Sequence, residues 1–198
     1  MISMVSAAAG EQVKVESTDT HVIVNAGPLT VRLVVSGKRE SQIDSIVYRG
    51  REILQEGQTV YIRSFGMPMK DGKPLVDEQQ SRRLKHNWTY AVRERSEYTE
   101  VVFSEEARPK WPVSTEQGFV FRKGEPGFYY YLSYRHPADM PDVLLQQTRM
   151  TFRVKEGLFH KAYIDRDRIY DVVPLEEWEG HVSVMDSTYM LTDGRIIR

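Results

Sequence analysis

Hydrophobic and polar residues alternate with a period of two along most of the 198-residue chain. In residues 29–35, for example, leucine and valine occupy every second position. Alternation of this kind is typical of β-strands with one buried face. It predicts strands at residues 21–25, 29–35, 43–48, 88–93, 100–103, 119–122, 127–135, 147–155 and 159–165.

Short glycine-containing turns separate these segments, and we find neither an internal repeat nor a long amphipathic helix. Many short strands at regular intervals predict an all-β fold, an antiparallel sandwich or barrel. Residues 64–87 break the pattern, because they contain two prolines, two glycines and no clear period. We predict a solvated surface loop there, with a lid at the edge of a binding cleft as the alternative.

Composition narrows the classes of function. The hydrophobic fraction of 40% is sufficient for one globular domain, and the net charge is −1. A nearly neutral chain has no overall field to attract nucleic acid or an anionic membrane, so we predict neither as a partner. The chain lacks cysteine, which excludes disulfides, zinc thiolates and a thiol nucleophile.

The N-terminal sequence MISMVSAAAG has an apolar stretch followed by three alanines, as at the end of a secretory signal peptide. We therefore treat residues 1–10 as a signal-peptide remnant or a disordered terminus. Residues 11–198 are predicted to form one β-sandwich domain. The expected location is secreted or periplasmic.

Candidate chemistry begins in TRMTFRVK, the segment from residue 148 to residue 155. A strand there places Arg149, Thr151, Arg153 and Lys155 on one face and the apolar residues on the other. Cations this close repel each other unless they are solvated or paired with anions. The row therefore indicates either ordinary pairing with protein acids or a surface for an acidic substrate.

The segment GFYYYLSYRH, residues 127–136, is rich in tyrosine. Tyrosine beside a cationic strand suits a uronic acid, because rings pack on sugar C–H groups and arginine binds carboxylates bidentately. Alternatively, one face of this strand lines the core. That face would contain Phe128, Tyr130, Leu132 and Tyr134.

The segments follow one another in a characteristic order. An aromatic strand ends in a histidine (128–136), and a proline-containing loop follows (137–141). A Thr148-Arg149 strand, a Phe-His pair (159–160) and an Asp- and Arg-rich turn (165–168) come next. This order resembles the rhamnogalacturonan lyases, and residues 184–189 and 193–194, with the opening strands at 22–27 and 43–50, are also similar to that family.

The resemblance implies an antiparallel β-sandwich of the galactose-mutarotase-like (supersandwich) type, expected to be incomplete here. It implies β-elimination at galacturonate in rhamnogalacturonan I, an acidic pectin polysaccharide. Arg149 matches a substrate-contacting arginine of the family, and Arg153, Lys161 and Tyr163 are further substrate-binding candidates. We assign no cofactor and no metal ligand, and we interpret His136 and His160 as scaffold residues.

The family's catalytic lysine and histidine are expected beyond Arg198, so the catalytic residues are left unassigned. We therefore expect a fragment, inactive or marginally stable, or a homo-oligomer that covers exposed sheet edges. Two alternatives stay open. One is a non-catalytic carbohydrate-binding β-sandwich, and the other is an aldose-epimerase-like enzyme, which would need a histidine and a carboxylate flanking a sugar ring.

Overall fold

A computed structural model describes residues 12–163, 165–167, 169–185 and 188–197. The predicted signal remnant at residues 1–10 lies outside them. The chain divides into two compact units, with the boundary between Arg153 and Val154. No helix in the described ranges is long and apolar enough to cross a membrane.

The regular secondary structure of the first unit is antiparallel strands with one short helix. Its elements are β1 (Lys14–Ser17), β2 (His21–Ala26), β3 (Leu29–Val34), β4 (Ile43–Tyr48), β5 (Arg51–Glu52), β6 (Tyr61–Lys70), β7 (Lys73–Pro74), α1 (Glu78–Arg82), β8 (Thr89–Glu94), β9 (Tyr98–Glu105), β10 (Ser114–Arg122), β11 (Tyr129–Arg135) and β12 (Asp142–Thr151). These strands form sheets in the orders β1-β2-β3-β4-β5, β11-β10-β9-β8 and β12-β6-β7.

The first two sheets share one hydrophobic core. Every second residue of β2 and β3 is buried, as the alternation predicts, and these side chains join Val101 and Phe103 of β9 and Phe119 and Phe121 of β10 in one cluster. Phe103 and Phe119 pack edge to face with ring centroids 6.2 Å apart. Two antiparallel sheets with a common core make a sandwich, so the predicted all-β antiparallel sandwich is confirmed.

The prediction of a surface loop at residues 64–87 is wrong for much of that segment. β6 extends to Lys70 and pairs with β12 over nearly its whole length. A glycine and a proline interrupt the apolar pattern of this strand, and its register with β12 shifts at a bulge between Leu145 and Gln147 on the β12 side, so the sequence pattern alone did not indicate the pairing. Gly66 is enclosed there, because a Cβ atom on it would lie 2.9 Å from the carbonyl oxygen of Leu144.

The short helix α1 also lies within the predicted loop. Asp77 begins it with a capping box, in which its side chain accepts from the Gln80 amide and the Gln80 side chain accepts from the Asp77 amide. Ser81 Oγ then donates to the Gly66 carbonyl oxygen at 2.6 Å, which attaches the helix to β6. This hydrogen bond places the following segment, residues 84–88, beside the sandwich.

The second unit has shorter elements. They are β13 (Lys161–Tyr163), β14 (Ile169–Asp171), a 3-10 helix (Leu175–Trp178), β15 (Val182–Met185), β16 (Thr188–Met190) and β17 (Ile196–Ile197). β13 pairs with β14, and β15, β16 and β17 form a three-stranded sheet. Among its described hydrophobic residues, only Leu191 is buried.

Candidate functional site

The predicted cationic face is shorter than the sequence pattern indicated. β12 ends at Thr151, so Arg149 and Thr151 lie within the strand and Arg153 follows its end. The backbone carbonyl of Arg153 instead accepts a hydrogen bond from the Gln55 amide at 2.9 Å. Lys155 belongs to the second unit. The prediction of one continuous strand through Lys155 is therefore wrong, because the chain leaves the β6–β12 ladder after Thr151.

Tyr61 lies beside these arginines, although the sequence analysis did not select it. β6 and β12 pair so that Tyr61 is opposite Thr151. Hydrogen bonding with Thr151 lowers the pKa of the Tyr61 phenol, against the opposing effect of burial. A hydrogen bond with Arg153 and the positive charges of Arg149 and Arg153 also lower it. This side of the ladder is therefore electropositive.

The four predicted binding residues differ in their surroundings. The side chains of Arg149 and Arg153 are exposed, and neither has an ion pair with an acid in the described part of the chain. Lys161, in the second unit, is paired with Asp171, whose hydrogen bond and charge raise the pKa of the lysine. Tyr163, also in the second unit, is 71% exposed. The structure brings Arg149 and Arg153 together within the first unit.

Tyr61 also lines a cavity of about 570 Å³ in the first unit. The turn after β3, strand β6, helix α1, residues 84–88, Trp111 and strand β10 all contribute to its wall. Its volume is in the range of small-molecule sites, which are typically about 300–1,000 Å³. The wall combines indole and aliphatic side chains with polar groups, among them Gln42, Lys85 and His86.

His86 is held in this wall by a buried carboxylate. Its Nδ1 lies 2.5 Å from Oε2 of Glu105, whose side chain is 1% exposed. An ionised carboxylate only accepts hydrogen bonds, so Nδ1 carries the proton and donates it to Glu105. The imidazole also stacks on Trp88, with centroids 5.5 Å apart, and packs edge-on against Trp111. The orientation of the ring is therefore determined from several sides.

Glu105 organises the whole segment before β8. Its Oε1 accepts hydrogen bonds from the Asn87 amide and from Arg108 Nη2, both at 2.9 Å. Burial would raise the pKa of Glu105, but the hydrogen bond and charge of His86, together with Asn87 and Arg108, lower its pKa below the usual value. Arg108 Nη2 also donates to the Lys85 carbonyl at 2.5 Å. One carboxylate thus positions residues 85–87.

The tyrosines of β11 pack largely as the core interpretation predicted. Phe128 and Tyr130 contact the hydrophobic cluster. Burial raises the pKa of Tyr130. Tyr134 packs edge-on against Trp111, and its hydroxyl hydrogen-bonds with Ser64 and with Thr148 Oγ1. Tyr134 therefore links the sheet that contains β11 to the β6–β12 ladder.

The outer face of β11 also has partners within the protein. Tyr131 OH donates to Glu116 at 2.9 Å, and the Tyr131 ring covers Gly118, where a Cβ atom would lie 2.1 Å from it. Burial, followed by hydrogen bonds with Glu100 and Glu116, raises the pKa of Tyr131. Tyr129, which is exposed, donates to Glu125 at 2.8 Å. The tyrosine-rich segment is thus explained by packing and hydrogen bonding within the protein.

Two sequence interpretations concern histidines. His136 Nε2 lies 2.9 Å from the Pro141 carbonyl oxygen, to which it donates, as expected for a scaffold residue. The epimerase alternative required a histidine and a carboxylate on two sides of a sugar. His86 and Glu105 do meet, but in direct hydrogen-bond contact, which leaves no space for a sugar between them.

The sequence analysis missed Tyr61, His86 and Glu105 as a group. Tyr61 and Thr151 are 90 positions apart, and no local pattern indicates their register. His86 lies within residues 64–87, which the sequence analysis interpreted only as a surface loop or lid. The usable signal was Trp88, an aromatic residue two positions after His86 in a polar region. Among the described residues, no group of three His, Asp or Glu side chains is arranged to hold a metal ion.

Comparison with known families gives a match to the rhamnogalacturonate lyase family over residues 2–181. The chain therefore belongs to the rhamnogalacturonate lyase family, and the resemblance noted in the sequence is confirmed. It carries a domain of the polysaccharide lyase type. A search of curated proteins finds no match.

Proposed function

We propose that this protein binds rhamnogalacturonan I and serves its cleavage by β-elimination at galacturonate. In this proposal, Arg149 and Arg153 bind the galacturonate carboxylate. The observation that carries it is the exposed arginine pair beside Tyr61, without an acidic partner in the described residues. Family membership supports a polysaccharide as the substrate class.

The arginine pair suits the chemistry of this reaction. A base removes the proton at C5 of galacturonate, the electron pair forms the C4–C5 double bond, and the bond between C4 and its oxygen breaks as that oxygen gains a proton. The C5 proton is weakly acidic while the neighbouring carboxylate is negatively charged. Guanidinium groups neutralise that carboxylate and stabilise the charge that develops on it.

The test is binding of galacturonate-containing oligosaccharides to the purified chain, measured by calorimetry, together with the ultraviolet absorbance of the unsaturated product. Arg149→Ala should weaken binding by about tenfold or more, because a charge-assisted bidentate contact is lost. Arg149→Lys should recover only part of the affinity, since lysine lacks the planar fork.

Arg135→Ala is the matched control. Arg135 is an exposed arginine of β11 whose guanidinium already lies 3.9 Å from Glu106. If Arg149→Ala and Arg135→Ala bind the oligosaccharides as tightly as the unaltered chain, the role assigned to Arg149 is wrong. Binding without product would favour the non-catalytic carbohydrate-binding alternative.

The proposed substrate also agrees with a location outside the cytoplasm, because pectin is an extracellular polymer. We accordingly keep the prediction that the protein is secreted or periplasmic. Fractionation of cells that express the natural gene, followed by immunodetection, tests this prediction. Detection only in the cytoplasmic fraction would contradict it.

A further inference from the structure

We propose that the cavity bounded by Tyr61, His86 and Trp88 is a second subsite, which binds an acidic sugar residue separately from the arginine pair. This inference rests on the proposed function, since it extends the same polysaccharide-binding surface. It assigns a direct ligand-binding role to Lys85 and His86, which sequence analysis did not select. The ligand class is a single uronate unit, such as D-galacturonate.

The unpaired polar groups of the cavity wall are mostly hydrogen-bond donors. Gln42 Oε1 accepts a hydrogen bond from Thr59 at 2.7 Å, so the donor that remains on this side chain is the Nε2 group. Neither this group nor the indole nitrogen of Trp88 nor Nε2 of His86 has a hydrogen bond to another described residue. Two donors, together with a histidine nitrogen that accepts when the ring is neutral, suit a ligand that offers both oxygen acceptors and hydroxyl donors, such as a sugar with a carboxylate.

These groups are open to solvent. No buried side-chain nitrogen or oxygen lacks a hydrogen bond in the described part of the chain. Gln42, His86 and Trp88 are partly buried residues, so their unpaired nitrogens must be accessible atoms. All three residues line the cavity, so in the proposed complex a molecule inside it reaches those nitrogens.

The charge around the cavity favours an anion. Lys38 and Lys85 belong to its wall and have no ion pair with a described acid. The one acidic residue among the lining residues, Glu40, accepts a hydrogen bond from the Gly37 amide within its own turn. With two lysines and one engaged glutamate, the described wall presents a net positive charge to an occupant.

His86 is preorganised for binding. Glu105 holds the Nδ1 edge, and Trp88 and Trp111 hold the ring, so the Nε2 edge is presented without a loss of side-chain entropy on binding. Nε2 accepts from a sugar hydroxyl when the ring is neutral and donates to a carboxylate when it is charged. Binding through a histidine held in this way loses less conformational entropy than binding through a mobile surface residue.

Tyr61 connects the cavity with the arginine pair. Its side chain lines the cavity and also hydrogen-bonds with Thr151 and Arg153 on the electropositive side of β12. The cavity and the arginine pair thus both contact the Tyr61 side chain. A polysaccharide bound to the arginines would run next to the cavity, and two linked contacts would raise its affinity above that of either contact alone.

The experiment uses tryptophan fluorescence of the full chain with D-galacturonate and D-galactose, which differ only in the group at C6. Trp88 and Trp111 line the cavity, while Trp178 lies in the second unit and is replaced by phenylalanine to remove its signal. We expect galacturonate to change the fluorescence saturably and galactose to act only at higher concentration, because the lysines attract the carboxylate. Calorimetry provides the same comparison without the fluorophore.

Two variants test the named contacts. His86→Asn keeps an amide that can donate to Glu105 but removes the group at the Nε2 position, and Lys85→Met keeps the side-chain length without the charge. Each should weaken galacturonate binding by about tenfold. Lys123→Met, in the turn after β10, is the control and should bind normally. Thermal unfolding of each variant confirms that the fold is retained.

The outcomes separate this inference from the proposed function. If galacturonate binds to His86→Asn and to Lys85→Met as tightly as to the unaltered chain, the second subsite is wrong. It is also wrong if neither fluorescence nor calorimetry detects binding of galacturonate. If the cavity response persists while Arg149→Ala leaves oligosaccharide binding unchanged, the subsite stands and the role of the arginine pair is wrong. If the subsite and the arginine pair both bind the polysaccharide, the affinity for oligosaccharides should fall in Arg149→Ala and also in the variants of His86 and Lys85.

Discussion

The two units of the chain both contain antiparallel strands, but among the described residues only those of the first unit enclose a large hydrophobic core. In the first unit, strands of up to ten residues pair over nearly their whole length, and fourteen residues are buried in one described cluster. In the second unit, described strands of two to four residues leave Val182, Val184 and Met185 more than half exposed. Alternation therefore predicts a strand, but burial requires a second sheet facing it.

Local contacts take the place of a core in the second unit. Trp178, His181 and Tyr189 pack edge to face with ring centroids 5.3–5.4 Å apart. Arg195 pairs with Asp193 at 2.5 Å and with Glu177. Exposed ion pairs and one small aromatic cluster stabilise a fold far less than a closed hydrophobic core. The predicted homo-oligomer, which would cover exposed apolar residues, stays a prediction.

The largest expected effect is in the core of the first unit. Phe103→Ala should lower the free energy of unfolding by about 3–5 kcal/mol, because it removes a fully buried ring and leaves a cavity. Val184→Ala in β15 should change it by less than about 0.5 kcal/mol, because that side chain is exposed. Urea unfolding measures both. Similar losses for the two variants would show that the second unit is buried in solution.

Glu105→Gln should have the next largest effect. The change removes a buried charge that His86 and Arg108 both contact, and because these two partners are partly exposed and glutamine still forms hydrogen bonds, the cost should be about 2–3 kcal/mol. A smaller loss than that of Glu56→Gln, an exposed residue in a turn, would contradict the role given to this carboxylate.

The same carboxylate predicts a dependence of stability on pH. The folded-state pKa of Glu105 is lowered, so the unfolded chain binds the proton more strongly. This stabilisation is present above the ordinary glutamate pKa of 4.5 and is lost as the pH falls through the lower folded value. Glu52 acts in the same direction, because burial, which by itself would raise its pKa, is outweighed by the hydrogen bonds that Ser45 and three backbone amides donate to its carboxylate. Melting curves between neutral and acidic pH should show a shallower decline for Glu105→Gln.

Two glycines give a finer test of packing within the first unit. Gly66→Ala should cost about 1–3 kcal/mol, because the new Cβ meets the Leu144 backbone oxygen at 2.9 Å. Gly118→Ala should cost less, since the obstruction is the far end of the Tyr131 side chain, which is able to rotate away. Thermal unfolding compares them. A larger loss for Gly118→Ala would mean that the Tyr131 ring is fixed.

The smallest expected effect is the loss of the Lys161–Asp171 ion pair. Both side chains are exposed, so water and salt screen their attraction. Asp171→Asn should leave the unfolding midpoint unchanged at ordinary ionic strength. A clear drop that disappears at high salt would show that the pair supports the β13–β14 hairpin. That result would bring the second unit closer to the first in its dependence on specific contacts.

Much of the first unit was predictable, because alternation and turn residues are local signals. The strand at residues 43–48 has the predicted bounds, and those at 21–26 and 29–34 differ by one residue. β6 was not predictable in this way, since its bulged pairing with β12 lies in the relation between two distant segments. The end of the predicted cationic face at Thr151 has the same explanation, because pairing with β6 and not the local pattern determines where β12 ends.

The chain alone was sufficient to establish the fold class, the family and Arg149 as a candidate. These depend on the order and type of residues, which carry periodicity and resemblance directly. The cavity, the contact between His86 and Glu105 and the position of Tyr61 beside the arginines depend on side chains that are distant in sequence. Their approach follows from strand register and sheet packing, and a linear pattern does not contain those distances.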